Sequence, residues 1–120
     1  MAILPSQFYE VASDLYQFQP HSEEKTRTVI GRAYYAAMLA ARDHANIVSR
    51  GGGVHRLVRE HFLHSKQTRI ANQLQALCDQ REDADYRLDL TIERRQAGLC
   101  LKQSEEILAA LNTPSKSKKR

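Results

Sequence analysis

The sequence predicts an all-α fold, namely an antiparallel, up-and-down four-helix bundle with one short additional helix. Apolar residues recur at intervals of three and four along every long segment, and no segment alternates with the period of two that strands show. Breaks are few, with a proline at position 20, three glycines at 51–53 and a proline at 114. A length of 120 residues fits one domain.

The segment 26–48 is predicted to be the central helix of the bundle. Ser22 is its expected N-cap, and acidic residues follow in the first turn. One side of the helix is lined by small or apolar residues, which allow neighbouring helices to approach closely: Val29, Ala33, Ala36, Ala37 and Ala40. Three polar side chains stand in this segment and mark it for function: Arg32, Tyr34 and Tyr35.

The helices on either side follow from the same spacing rule. The first is predicted over residues 5–18 with Ser6 as N-cap, and its expected buried stripe is Phe8, Val11, Ala12 and Leu15. A short third helix is predicted over residues 54–64, after a flexible glycine linker.

The fourth helix is expected to begin near residue 66 or 67 and to loosen into a turn over residues 86–90. Its buried stripe is Ile70, Leu74, Leu77 and Cys78. The last helix is predicted to be capped by Thr91 and to reach Leu111. Because apolar residues spread round it (Leu99, Leu101, Leu108, Leu111), the sequence predicts that a homodimer covers part of its surface.

The net charge of +4 is concentrated at the C-terminus. Residues 1–113 are predicted to form the bundle and residues 114–120, with four Lys and Arg, a disordered basic tail. The remaining 14 basic residues balance 14 acidic ones, so the charge does not by itself indicate nucleic-acid binding. With no apolar run of about 20 residues and no secretory signal pattern, we expect a cytoplasmic protein, no membrane contact and reduced cysteines.

A candidate site is marked by Arg81, a cation on the apolar stripe of the fourth helix. Asp85 follows one turn later on the same face. Two interpretations remain open. Arg81 and Asp85 form an ordinary intrahelical ion pair, which the pattern alone favours, or they line a cleft opposite Arg32 and Tyr35 that suits a phosphate or phosphodiester.

Other candidate chemistry has weaker support. Arg56 with His61, and Arg59 with His64, have the spacing of an Arg-His catalytic pair, but His61 stands on an apolar stripe and is expected to be a core histidine. The cysteines have no zinc-ligand spacing, and the glycine linker lacks the strand and Lys-Ser/Thr of a phosphate loop. No metal or cofactor is predicted.

The motifs TRTVIGRAYYAAMLAAR, VHRLVREHF and QREDADY, followed by an amphipathic helix, resemble the HEPN domain family over residues 5–111. The likeness is to small members with RAYYA on the second helix and R-x-x-A-D-Y on the fourth. The resemblance implies an antiparallel bundle that dimerises and forms a polar cleft at the dimer interface. Many HEPN proteins are metal-independent endoribonucleases with an Arg followed four to six residues later by a His.

The Arg of this signature matches Arg81, but Tyr86 stands where the His is expected, preceded by Asp85. Tyrosine titrates near pH 10 and is a poor base at neutral pH. Three hypotheses follow. The first is a dimeric module that binds RNA or nucleotide through Arg32, Tyr35 and Arg81, with a small nucleotidyltransferase as partner in a toxin–antitoxin-like arrangement. The second is a ribonuclease that uses Arg81, Asp85 and Tyr86, and the third is a purely structural dimer.

Overall fold

A computed structural model describes residues 3–48 and 52–111. Within these two ranges there is no strand. The described residues form five helices: α1 (Pro5–Gln17), α2 (Glu23–His44), α3 (Val54–His64), α4 (Thr68–Tyr86) and α5 (Arg94–Ala110). None of these helices combines the length and apolar character that crossing a membrane requires. The predicted basic tail and part of the glycine linker lie outside the described residues.

Helix α2 is the centre of the fold, as the sequence predicts. It packs against each of the four other helices. Its predicted lining is buried throughout, because alanines and a glycine let the neighbouring backbones approach closely. The side chain of Ser22 accepts a hydrogen bond from the backbone of Lys25 and caps the helix, as expected.

Helices α2 and α4 run antiparallel, since contacts advance along one as they retreat along the other. Arg27 near the start of α2 contacts Ala84 near the end of α4, whereas Tyr34 lies beside Arg81, one turn earlier on α4. Three other neighbouring pairs show the same reversal: α1 with α2 (Phe8–Arg32, Phe18–Lys25), α1 with α5 (Tyr16–Arg94, Tyr9–Glu105) and α4 with α5 (Gln80–Gln96, Gln73–Glu106).

Two predicted N-caps are wrong. Helix α1 is capped at Leu4, whose backbone N–H donates to the side chain of Gln7, and Ser6 is buried inside the first turn. Helix α5 begins after Glu93, whose N–H donates to Gln96. In both helices, a glutamine at the third helical position accepts the backbone N–H of the N-cap residue with its side-chain oxygen. No serine or threonine side chain is used as the cap. The central helix also ends earlier than predicted, at His44 rather than at residue 48.

The predicted buried face of α1 is confirmed only in part. Ala12 is fully buried and Leu15 packs against the core, as expected. Val11 was also expected in the core but is 55% exposed, and Tyr9 and Tyr16 pack against the core in its place. The reason is that tyrosines can bury their rings while their hydroxyls reach the edge of the bundle. Close packing of α1 on α5 also uses Gly98, because a Cβ there would lie 2.8 Å from the Tyr16 hydroxyl oxygen.

The exposed apolar surface predicted for α5 is mostly absent. Leu101, Leu108 and Leu111 are buried within the monomer, since α5 packs against α1, α2 and α4, and only Leu99 of the four is exposed. The burial expected from a second copy on this helix is thus supplied by the chain itself. The homodimer remains a prediction, but α5 no longer supports it.

Arg27 joins the start of α2 to the connection between α4 and α5. Its Nη1 donates to the carbonyl of Ala84 at 2.8 Å, and its Nη2 donates to the carbonyl of Leu90 at 2.6 Å. Nη2 also pairs with Glu23 at 2.9 Å, and the same carboxylate accepts the N–H of Ile92 at 3.0 Å. Carbonyls at a helix C-terminus have no partner within the helix, so this guanidinium caps α4.

We expect Arg27→Met to lower the free energy of unfolding by about 3 kcal/mol, because buried carbonyls lose a charged donor. The matched control is Arg69→Met. The Arg69 side chain is 79% exposed and pairs with Glu106 at 3.4 Å, whereas that of Arg27 is 13% exposed. The control should cost at most about 1 kcal/mol. Urea unfolding of the three proteins measures both values, and equal losses for the two variants would rule out the capping role of Arg27.

Candidate functional site

The guanidinium of Arg81 lies among three tyrosine rings. Its central carbon is 5.3 Å from the ring centre of Tyr34, 5.6 Å from that of Tyr35 and 5.7 Å from that of Tyr86. Tyr34 and Tyr35 come from α2, while Tyr86 ends α4. These distances are within the range of cation–π attraction. The Arg81 side chain is 18% exposed, so neighbouring residues cover most of it.

Arg81 also makes the ion pair with Asp85 that the sequence suggests. Its Nη1 lies 3.4 Å from a carboxylate oxygen of Asp85 and 3.4 Å from the hydroxyl of Tyr86. Its Nε is buried and has no hydrogen-bond partner among the described residues. Burial by itself would lower the pKa of Arg81, but the hydrogen bond to Tyr86 and the attraction of the Tyr34 and Tyr35 groups raise it. The cation is therefore permanent.

Arg32 also lies beside the Tyr35 ring. Its guanidinium carbon is 5.9 Å from that ring centre and 6.0 Å from the ring centre of Phe8 on α1. Cations and rings thus alternate over the surface in the order Phe8, Arg32, Tyr35, Arg81, Tyr86, which we call the Arg-Tyr row. The sequence suggested a cleft with Arg32 opposite Arg81. The structure instead places both cations against one ring, and Arg32 is exposed.

The local sequence explains how the row is built. Tyr34 and Tyr35 are neighbours on α2, so one ring points into the bundle and the other points to its surface, with their ring centres 5.3 Å apart. Gly31 stands one turn before Tyr35, and a Cβ there would be 3.8 Å from the Asp85 carboxylate. This is an ordinary van der Waals distance, so the carboxylate lies close to the backbone of α2, although an alanine would also fit at this position.

Behind the row lies a polar cluster that the sequence did not predict. The hydroxyl of Tyr34 is 3.2 Å from Nδ1 of His55, and the thiol of Cys78 lies nearby. These groups come from α2, α3 and α4, so the cluster joins three helices. The only sequence signal was the pairing of Tyr34 with Tyr35, because nothing in the spacing marks His55.

Burial governs the ionisation of this cluster. Desolvation raises the pKa of Tyr34 and of Cys78, so both remain protonated at neutral pH. Desolvation likewise lowers the pKa of His55, and the charge of Arg59 acts in the same direction. The side chain of Gln75 and, to a smaller extent, the carboxylates of Asp79 and Glu82 oppose this lowering of the pKa only in part. The hydroxyl, thiol and neutral imidazole thus act as hydrogen-bonding groups in the bundle.

The Arg-His pairs considered from the sequence do not form a comparable arrangement. Arg56 pairs with Glu60 at 3.3 Å and is largely exposed. His61 is half-buried, with its ring edge-on to Phe62 at 5.0 Å, rather than in the core as expected. His64 is exposed at the end of α3.

The chemistry available at the Arg-Tyr row is two cations, one carboxylate and exposed aromatic rings. Cations and rings at such spacing can contact phosphates and stack on bases. Within residues 3–48 and 52–111, no three His, Cys, Asp or Glu side chains gather in a group that could hold a metal ion. No protein-family model, curated protein or solved structure matches this chain.

The lowered pKa of His55 predicts that acid destabilises the fold as the pH falls below about 6.5. The unfolded chain takes up a proton at about that pH, before the folded chain does. The contribution of neutral His55 is therefore complete above the pKa of the unfolded chain, and it is lost as the pH falls from there through the lower pKa of the folded chain. Urea unfolding at several pH values should show that the free energy of unfolding falls less steeply with decreasing pH in His55→Gln than in the wild type.

His64→Gln is the matched control, because His64 ends the same helix in an exposed position. Its free energy of unfolding should fall with decreasing pH as steeply as that of the wild type. A decline that is equally steep in His55→Gln would show that the imidazole of His55 gains its proton as readily in the folded chain as in the unfolded one.

Proposed function

We propose that this protein binds single-stranded RNA or a nucleotide on the Arg-Tyr row. The observation that carries the proposal is the alternation of Arg32, Tyr35, Arg81 and Tyr86 at ring-to-cation distances below 6 Å. Tyr35 and Tyr86 are exposed at the surface, where bases can stack on them. The two guanidiniums flank these rings and supply bidentate donors for phosphate oxygens.

The electrostatics of the row favour an anionic ligand. Asp85 pairs with Arg81 at 3.4 Å, a long contact on a partly exposed carboxylate. A phosphate offers shorter, charge-assisted hydrogen bonds than this pair does. The only hydrogen bonds seen for Arg81 among the described residues are two contacts of 3.4 Å made by Nη1, so the exposed end of the guanidinium can still donate to a phosphate.

A metal-independent ribonuclease is the second candidate, and one observation favours it. Arg81, Asp85 and Tyr86, which stand where the HEPN ribonuclease signature is expected, lie together, with the Arg81 Nη1 3.4 Å from both Asp85 and the Tyr86 hydroxyl. In such an enzyme Arg81 would stabilise the phosphate charge and Asp85 would take a proton. Cleavage of RNA in the presence of a chelator tests this candidate directly.

We further propose that the chain is an HEPN-like four-helix bundle that acts as a homodimer with a small nucleotidyltransferase as partner. The antiparallel contacts of α1, α2, α4 and α5 support the bundle topology. The dimer and the partner follow from the resemblance of RAYYA and R-x-x-A-D-Y to that family. Light scattering at tens of micromolar protein tests the dimer, and a monomer mass would contradict it.

Binding of a fluorescent RNA of about 12 nucleotides tests the proposal, since sites of this kind span about 4–16 nucleotides. We expect Tyr35→Leu to weaken binding by about 5- to 150-fold, which corresponds to the loss of one stacked base. Arg81→Met should weaken it at least tenfold, because it removes a phosphate donor but keeps the apolar stem. Arg32→Met should reduce the slope of the logarithm of the binding constant against the logarithm of the salt concentration by about one, which corresponds to one phosphate contact.

Arg69→Met controls for overall charge, because Arg69 lies at the opposite end of α4 from Arg81. It should bind RNA within about twofold of the wild type. Equal binding by Arg81→Met and the wild type would remove Arg81 from the site. A wild-type protein that binds neither RNA nor nucleotide would leave the purely structural dimer as the remaining hypothesis.

A further inference from the structure

A second pairing of an aromatic ring with a cation lies where α1 ends and α2 begins. The Nζ of Lys25 is 4.8 Å from the ring centre of Phe18, which is within the range of cation–π attraction. Phe18 is 60% exposed, so a planar group can reach its ring. An exposed ring beside a cation is the same arrangement that the Arg-Tyr row shows at Tyr35.

The cations at this end of the bundle have no carboxylate partner. Within residues 3–48 and 52–111, neither Lys25 nor Arg94 forms an ion pair. Lys25 donates one hydrogen bond to the carbonyl of Pro20 at 2.6 Å, which leaves two of its three donors free. Arg94 lies 3.9 Å from the ring centre of Tyr16, and it lines the same small hollow as Lys25. The two positive charges are therefore neighbours, and together they attract an anion.

This end of the bundle is joined to the Arg-Tyr row by one stripe of α2. Lys25 and Arg32 are seven residues apart, which is about 10.5 Å along the helix axis and close to two turns. The exposed residue between them on this stripe is Thr28, which carries no charge. Helix α1 runs antiparallel beside the stripe, so Phe18 borders Lys25 and Phe8 borders Arg32. Each cation on the stripe thus has a ring of α1 next to it.

We propose that Phe18 and Lys25 form a second subsite for the single strand that binds the Arg-Tyr row. A base would stack on the Phe18 ring, and Lys25 would hold a phosphate. A stacked strand advances about 3.4 Å per nucleotide, so about three nucleotides cover the distance from Lys25 to Arg32. The ligand is therefore an oligonucleotide, because one nucleotide reaches only one of the two cations. The inference rests on the proposed function, since it extends the site proposed there and selects the strand over the nucleotide.

Binding of a fluorescent RNA of about 12 nucleotides tests the subsite with two variants. Phe18→Leu should weaken binding by about 5- to 150-fold, which corresponds to the loss of one stacked base. Lys25→Met should reduce the slope of the logarithm of the binding constant against the logarithm of the salt concentration by about 0.7, which corresponds to one phosphate contact of a single strand. Adenosine monophosphate should bind the wild type at least about tenfold more weakly than the RNA, because it fills one subsite.

Leu99→Ala and Lys102→Met are the matched controls. Leu99 is 54% exposed but lies at the groove between α4 and α5. Lys102 is exposed on α5 and contacts no ring in the part of the chain that the structure describes. Both variants should bind the RNA within about twofold of the wild type. Helical circular dichroism equal to that of the wild type, with a melting temperature within about 2 °C, shows that each variant is folded.

The outcomes separate the subsite from the proposed function. If Phe18→Leu and Lys25→Met bind the RNA as the wild type does while Arg81→Met binds it weakly, the subsite is overturned and the proposed function stands. Adenosine monophosphate that binds as tightly as the RNA also overturns the subsite. A wild type that binds neither ligand overturns both. Weak binding by Phe18→Leu with unchanged binding by Arg81→Met overturns the Arg-Tyr row, and with it the path that joins the two.

Discussion

Arg27 reaches from α2 to the carbonyl oxygens of Ala84 and Leu90, where α4 ends and the chain turns toward α5. One guanidinium thereby satisfies acceptors that the helix leaves without partners. Glu23 extends the contact by pairing with Arg27 and accepting the N–H of Ile92. The C-terminal turn of α4 is fixed against α2 by these hydrogen bonds, and the position of every functional group on that turn depends on them.

The consequence of this contact is the position of Arg81. Because α2 and α4 run antiparallel, fixing the end of α4 near Arg27 brings Arg81 beside Tyr34 and Tyr35, about two turns along α2. Gly31 lies between these points, with the carboxylate of Asp85 close to its backbone. The guanidinium is held by rings, which attract it without neutralising it, and by one long ion pair. A cation held in this way stays available to an anion.

The sequence predicts the central parts of this fold because small and apolar residues leave little choice there. The alanines of α2 and the leucines of α4 permit one buried face each, and both faces are confirmed. Helix α1 is less determined, because apolar and aromatic residues stand on more than one side of it. Ala12 and Leu15 of the predicted stripe contact the core, but Tyr9 and Tyr16 pack there in place of Val11.

The candidate site was predictable only in part, for a similar reason. The spacing of Arg81 and Asp85 predicts their ion pair, because both partners are side chains on one helix. The role of Arg27 was not predictable, because its acceptors are mainly backbone carbonyls, which no residue type marks. The one signal in the sequence is that Arg27 lies on the same face of α2 as Gly31 and Tyr34. His55 gave none, since its partner Tyr34 lies 21 positions away.

The central claim is that the Arg27 contact holds Arg81 among the tyrosines, and NMR of the arginine Nε–H groups tests it most directly. In the wild type, the Arg81 signal should be shifted by ring currents and should exchange slowly with water, because Nε is buried. In Arg27→Met it should move toward the position of an exposed arginine. Arg94, stacked 3.9 Å from the Tyr16 ring centre, should keep its shift in both proteins. An Arg81 signal that is unshifted in the wild type, or that is unchanged in Arg27→Met, would contradict the account.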